Sequence, residues 1–460
     1  MLWELNQRWY EDAGPGAWLE QDVPCYITSN AVIAHAYARV ALGLLEDAER
    51  QQPGRTDPVH IVECAAGMGK FTFLFLAALD ELIDLSPHPH AEYHYIATDV
   101  VPANLTFIER RPQLKPFVEE GRLSVAPLDL MAPELPVVTD RPVMLITNYV
   151  LDSIAPDAFE VRAGELFELQ VRLKSDIPEP RLDQIAVEFV QARPPRPVYG
   201  DAILDGVLED YEARLGDTAF LLPVNVIVAM RRLAEQTPGG LLILGGDKGY
   251  NHIGQITRMD EPHVAYHGSV SVLVNFDGIG RAAELMGGWS MHSAEREAQL
   301  SISSFALGLD KAALPSTRCA FEAVMEPFGP VDWFEFYETL KLSEPLTVAQ
   351  CLSYLRMSRW DADLFGELAS SLQEGLDDLD EEVAAEIRGA LHHVARTIYP
   401  LPVGPDIAFA IGLSLYGMDR FPDALAWFQR SLEWYGPSGE AHHNVGLCAF
   451  ALGQPPVARA

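Results

Sequence analysis

Carboxylates recur ahead of turns in the first half of the chain: Glu63, Asp99, Asp129 and Asp247, with Asn148 in step among them. A carboxylate offers two fixed acceptors, which suits a vicinal diol such as a ribose or an exocyclic amine. Glu63 is followed by Cys-Ala-Ala-Gly-Met-Gly-Lys, and the alternate glycines Gly67 and Gly69 let a ligand lie against bare backbone. Asp99 is placed to hold both hydroxyls of a ribose. Asp129-Leu130 sets a carboxylate, able to accept from an amine, beside an apolar side chain. Each acid alone is equally well a solvated loop residue or a helix cap. Three of them at successive strand ends point to one shared nucleotide-like ligand.

The elements that must position these residues follow from the apolar pattern. Strands are expected at about 59–63, Tyr93–Thr98 ending at Asp99, Leu123–Ala126 leading to Asp129, and Val143–Thr147 ending at Asn148. A fifth, Leu241–Leu244, runs into Gly245-Gly246-Asp247-Lys248-Gly249. Helical or loop segments lie between the first four, so a mainly parallel sheet with crossover helices is expected, its ligand at the carboxyl ends of the strands. Residues 30–48 read as a helix with Val32, Ile33, Ala36, Tyr37, Val40 and Leu44 on one face and Asn30 as its N-cap. Residues 155–235 interrupt the repeat with Pro, Asp and Glu and the alternating run Phe167–Leu173, an insertion able to cap the site. His263 to Phe276 alternates and suggests one or two further strands.

Three cofactors compete for the turn at 63–69. A P-loop requires Gly-x-x-x-x-Gly-Lys-Ser/Thr, but Cys64 stands five before Gly69 and Phe71 follows Lys70. A dinucleotide fingerprint wants a third glycine where Thr72 stands. The remaining option is S-adenosyl-L-methionine. Class I methyltransferases carry an acidic residue at the end of strand one and glycines at alternate positions after it. Glu63, Gly67 and Gly69 match, with Ala65 where the first glycine is usual. The methyl of Ala65 is tolerated if its backbone keeps a negative φ.

Further segments resemble the MidA-like methyltransferases, a family with a mitochondrial member that methylates an arginine of a respiratory complex I subunit. Asn148-Tyr149-Val-Leu-Asp152-Ser resembles the family's Asn-Glu-x-x-Asp-Ala element, and Tyr26-Ile-Thr28-Ser29 its Tyr/Phe-x-Thr-Ser segment. Asp247 and Tyr250 resemble its acid–aromatic turn, His267 to Phe276 its Asp-Ile-Thr-x-x-Val-Asp-Phe strand, and Ser301 to Leu309 its closing Phe-Leu-x-x-Gly segment. The match spans about residues 20–310 in order. Tyr149 replaces a glutamate, Asn30-Ala31 a Pro-Glu pair, and Asn275 an aspartate. Carboxylates are what orient a guanidinium bidentately, so the acceptor stays open.

The resemblance implies a Rossmann-like α/β methyltransferase fold over residues 51–308, an S-adenosyl-L-methionine site at Glu63, Ala65, Gly67, Gly69, Asp99, Asp129, Leu130 and Asn148, and an acceptor side holding Tyr26, Thr28, Ser29 and Tyr250. Asp152 is the residue to orient or deprotonate the acceptor, with Tyr149 lining the methyl passage; the alternative is that Asp152 caps a helix starting near Pro156. Asp247 is a second pocket carboxylate or a turn residue. His267 is a base by virtue of its near-neutral pKa, or a satisfied strand histidine. The competing functions are a donor-binding scaffold without turnover, a nicotinamide oxidoreductase, and a pure interaction protein.

The flanking regions extend this plan. Residues 1–50 are expected to cover the cofactor site. Strand signals fade after about 308, leaving a helical region to 403 and a hinge at Pro400–Pro405. Gly412-Leu413 and Gly446-Leu447 lie 34 residues apart, with Ala424 and Phe428 at helix-packing offsets, a period that resembles tetratricopeptide repeats. Such repeats present a groove, so a protein or peptide partner is expected there. The 460-residue chain is 48% hydrophobic and carries a formal charge of −33, which argues against nucleic acid and anionic lipid as partners. Its five scattered cysteines show no metal spacing and fit a reducing, cytoplasmic compartment. The amino-terminal segment lacks a signal-peptide pattern, and no apolar run reaches about 18 residues.

Overall fold

The computed structural model describes residues 2–19, 26–87, 91–178, 180–257, 259–294, 299–326, 328–340, 346–376 and 380–454. They form two compact units: Met1–Thr28 with Ala36–Glu335, and Ser29–His35 with Phe336–Ala460.

The first unit is built on strands β1 (Val59–Cys64), β2 (Tyr93–Asp99), β3 (Leu123–Pro127) and β4 (Val143–Asn148). An excursion supplies β5 (Asp157–Arg162), β6 (Glu165–Lys174), β7 (Ala186–Ala192) and β8 (Thr218–Leu222). The chain returns as β9 (Leu241–Asp247), then β10 (Gly249–Tyr250), β11 (Val264–His267), β12 (Ser269–Val272), β13 (Val274–Asn275), β14 (Trp289–His292) and β15 (Ser301–Leu307). Its helices are α1 (Leu2–Ala13), α2 (Gly16–Leu19), all but the first five residues of α3 (Ala31–Gln51), α4 (Lys70–Leu85), α5 (Pro102–Glu109), α6 (Lys115–Glu119), α7 (Ala202–Arg214), α8 (Val224–Glu235), α9 (Phe276–Leu285), α10 (Pro315–Met325) and the start of α11 (Pro330–Leu340).

Seven strands pair in the order β14-β15-β9-β4-β1-β2-β3. All neighbours from β3 to β9 are parallel, while β15 runs antiparallel to both β9 and β14. By rank in the sheet this is 3-2-1-4-5-7-6, whereas a dinucleotide-binding sheet runs 3-2-1-4-5-6. The strands are apolar on both faces because helices cover both, as parallel sheets require: Val59, Ile61, Val62, Leu145 and Leu244 are all buried. Strand order reverses between β1 and β4, where Cys64 is level with Thr147. The ligand crevice of such sheets opens at that switch point.

The excursion forms its own four-stranded antiparallel sheet, β7-β6-β5-β8. Strand β5 lies where a helix beginning near Pro156 was the alternative expectation. Its pairing with β8, from Asp157 opposite Leu222 to Val161 opposite Thr218, overrides that local preference. The segment His263–Phe276 yields the hairpin β11–β12 and the short β13.

The second unit is helical, with α12 (Val348–Met357), α13 (Ala362–Glu374), α14 (Glu381–Ala395), α15 (Ile407–Gly417), α16 (Phe421–Tyr435) and α17 (Gly439–Ala451) following the end of α11. Gly412 lets α15 meet α16 closely: a side-chain carbon there would stand 2.6 Å from the Phe428 ring. Asn30, in the same unit, accepts from the backbone N–H of Val32 and Ile33 and caps α3 as expected. No helix among the described residues is long and apolar enough to cross a membrane.

Candidate functional site

The turn after β1 is a run of left-handed backbone: Ala65 has φ 52°, Gly67 56° and Gly69 75°. The glycines adopt this freely, but the methyl of Ala65 makes it cost about 1–2 kcal/mol. The negative φ expected for Ala65 is therefore corrected. The turn is held because Ala66 donates to the Thr98 carbonyl at 2.8 Å and Gly67 N–H donates to Asp99 Oδ2 at 2.9 Å. Asp99 Oδ1 accepts from Val101 N–H at 2.9 Å, fixing the start of α5. Burial raises the Asp99 pKa. The Asn104 side chain and the Val100 backbone also bond to Asp99, so its carboxylate is held at the turn that the two glycines leave bare, and the residues present fit a ribose hydroxyl exchanged for one of these partners.

Glu63 is buried and turned toward α4 and β2, where it accepts from the hydroxyls of Thr72 and of Tyr95, the latter at 2.8 Å. Burial pushes its carboxyl up to about 7. Thr72, at the place of a dinucleotide-type third glycine, is thus engaged in holding Glu63. After β3, Asp129 is exposed and accepts from Met131 N–H at 2.8 Å. Leu130 is buried in an apolar cavity with Leu145, Thr147, Leu151 and Met230.

The acceptor side forms where β4 and β9 end. Asn148 Oδ1 accepts from Gly246 N–H at 3.2 Å, and Tyr149 N–H donates to the Gly246 carbonyl at 3.0 Å with φ 48°. The 3₁₀ turn Leu151–Ser153 follows. Asp247, fully buried, accepts from the backbone N–H of Asp152 at 3.1 Å and of Lys248 at 2.8 Å. It is therefore the cap that holds the 3₁₀ turn against β9. Asp152 is buried, accepts from the Ser153 hydroxyl at 3.0 Å, and feels the Lys248 ammonium. Burial raises both carboxyls, and their mutual repulsion raises Asp247 further. Lys248 Nζ lies 5.9 Å from the centre of the Tyr149 ring. Polar groups here without a hydrogen-bond partner among the described residues include the hydroxyls of Tyr37, Thr147 and Tyr149 and the amide nitrogen of Asn148.

Other expected residues fall elsewhere. Tyr26 and Thr28 lie in the 3₁₀ turn Tyr26–Thr28, where Trp333 Nε1 donates to the Tyr26 hydroxyl at 3.3 Å. Ser29 belongs to the helical unit. Tyr250 is buried in the main core, in register with Asn275. Asn275 caps α9 and donates to the Leu221 carbonyl, a structural role for an amide. His267 is in β11, and its side chain lies outside the described residues.

The amino-terminal segment, expected to cover the cofactor site, contributes α1 and α2, whose individual contacts were not expected. Asn6 exchanges two hydrogen bonds with the Val270 backbone, at 2.8 and 3.2 Å. Tyr10 donates to the Ser269 hydroxyl at 3.1 Å, and its phenol, raised by burial, feels Asp152 and Asp247. A side-chain carbon at Gly67 would stand 3.1 Å from Cζ2 of Trp18. The available signal was aromatic density: Trp3, Trp9, Tyr10 and Trp18 flank a Gly14-Pro15-Gly16 turn.

No protein-family model matches the chain. Among solved structures it is similar to a COG1565 superfamily member from Burkholderia thailandensis bound to S-adenosyl-homocysteine, with 14% identity over 62% of this chain and 78% of that one, at a TM-score of 0.42. A second COG1565 superfamily protein from the same organism gives 14% identity, 68% and 88% coverage, and a TM-score of 0.43. Magnesium protoporphyrin IX methyltransferase from Synechocystis PCC 6803, with S-adenosylmethionine bound, gives 8% identity, 67% and 97% coverage, and a TM-score of 0.31. At these identities the likeness is one of fold.

Proposed function

We propose that the chain is an S-adenosyl-L-methionine-dependent methyltransferase. The observation that carries the reading is the joint at the switch point: Asp99, at the end of β2, holds the Gly67 backbone at the end of β1. Gly67, Gly69 and Asp99 would hold the donor, with Asn148 on its acceptor side. When bound, the donor supplies a methyl group on a sulfonium, open to in-line displacement. The protein must align the nucleophile, exclude water and receive its proton. Asp152 takes the proton, since a buried carboxyl with a raised pKa is a better base than an exposed one near neutral pH. Asp247 is a positioning residue that fixes the turn carrying Asp152. Tyr149 and Tyr37 line the approach. The MidA-like resemblance and the paired helices α15 and α16, read as tetratricopeptide-like, support a protein, peptide or carrier-bound acceptor.

Calorimetry with S-adenosylhomocysteine and with NADH tests this reading. Binding of the first and not the second is expected. Binding of NADH alone overturns it in favour of an oxidoreductase, and binding of neither in favour of an interaction protein.

A further inference from the structure

We propose that Trp18 is a gate on the donor site: the amino-terminal arm seats its indole on Gly67, and the donor enters only when the indole leaves. The inference rests on the donor reading above and adds a regulation to it.

The six-membered ring of Trp18 faces Gly67, with Cζ2, Cη2 and Cε2 at 3.1, 3.2 and 3.4 Å from where a side-chain carbon of that residue would stand. Non-bonded carbons need about 3.5–4.0 Å. A ligand atom packed on the Gly67 backbone from that side would overlap the ring. The space left by the missing side chain of Gly67 is thus filled by the indole of Trp18.

The arm is fastened at points remote from the turn. Asn6 is tied to Val270, Tyr10 to Ser269, and Trp9 packs on Gly268, where a side-chain carbon would stand 2.8 Å from its ring. Farther along, Gly14 approaches Ala103 at the start of α5, next to the segment that Asp99 holds. The anchors fix α1 on the β11–β12 hairpin, whereas Trp18 itself is half-buried and can leave without opening the core.

The arm also joins the two halves of the site. Tyr10 and Trp18 are ring neighbours at 6.2 Å, and Tyr10 stands in the field of Asp152 and Asp247. Displacing Trp18 removes one wall from Tyr10.

The test is stopped-flow and calorimetric binding of S-adenosylhomocysteine to the full chain and to Trp18→Ala. A closed arm populated at about 90% makes the apparent Kd about tenfold weaker than that of the open form, so Trp18→Ala should bind about tenfold tighter and associate faster. Asn6→Ala, which cuts both bonds to Val270, should shift affinity the same way by a smaller factor, and it tests the gate without touching the indole. Weaker binding by Trp18→Ala would make the indole part of the bound site and overturn the gate, as would unchanged affinity in both variants. Absence of binding in all three proteins would instead overturn the donor reading itself.

Discussion

The two ends of the crevice handle polar groups in opposite ways. On the donor side the carboxylates are engaged with the protein: Glu63 with Thr72 and Tyr95, Asp99 with Gly67 and Val101. On the acceptor side only Asp247 is fully engaged, and Tyr37, Tyr149 and Asn148 keep polar atoms without partners. Burying a polar group unbonded costs free energy, so such groups persist where something else is to be bound. The donor-side carboxylates are tied to the protein's own groups, whereas the acceptor side presents Tyr37, Tyr149 and Asn148 atoms that an acceptor could engage.

Breaking each side should give a different signature. Asp152→Asn should slow methyl transfer from radiolabelled S-adenosylmethionine into lysate protein about 10²–10⁴-fold, while S-adenosylhomocysteine affinity changes by less than about twofold. A parallel loss of affinity would erase the distinction between the halves. Asp99→Ala acts on the other side. It removes the acceptor for Gly67 N–H and should weaken S-adenosylhomocysteine by about 1–3 kcal/mol in calorimetry. Unchanged affinity would take Asp99 out of the site.

Glu63→Gln sharpens the donor side through pH. Burial raises Glu63 to about 7, so the folded state keeps a proton that the unfolded chain releases nearer 4.5. That contribution is present below the unfolded value and is lost as pH rises through about 7. The variant should flatten the stability profile across that window and gain about 2 kcal/mol at pH 8 in urea unfolding. A profile identical to that of the parent would place the titration elsewhere. The smallest effect is that of Ala65→Gly, which relieves a left-handed methyl and should stabilise by about 1 kcal/mol. Destabilisation would mean that the methyl packs usefully.

Local signals made much of the frame readable. The end of β2 at Asp99, of β4 at Asn148 and the cap at Asn30 follow from apolar runs and polar stops. Less visible was what depends on distant partners. The alternation at Phe167 stood out inside the insertion, but its place in a four-stranded sheet needed β5, β7 and β8. Asp247 looked like a pocket carboxylate or a turn residue, and only the fold shows it capping a turn 95 residues earlier. Trp18 and Gly67 are far apart in sequence, and no spacing rule links an indole to a glycine turn. Ala65 shows the converse case, where a tertiary turn imposes a φ that the residue type disfavours.

The excursion β5–β8 leaves the central sheet after β4 and rejoins it at β9, and those two strands are hydrogen-bonded neighbours. Its own first and last strands also pair, so the module is closed at its root. Lengthening a loop whose ends are already pinned adds only about 0.6 kcal/mol per doubling. Growth of this module is therefore cheap at its far end, while Phe159, Val161, Phe220 and Leu222 of β5 and β8 share one core with Leu145 and Ile243 of the central sheet and hold the root in place.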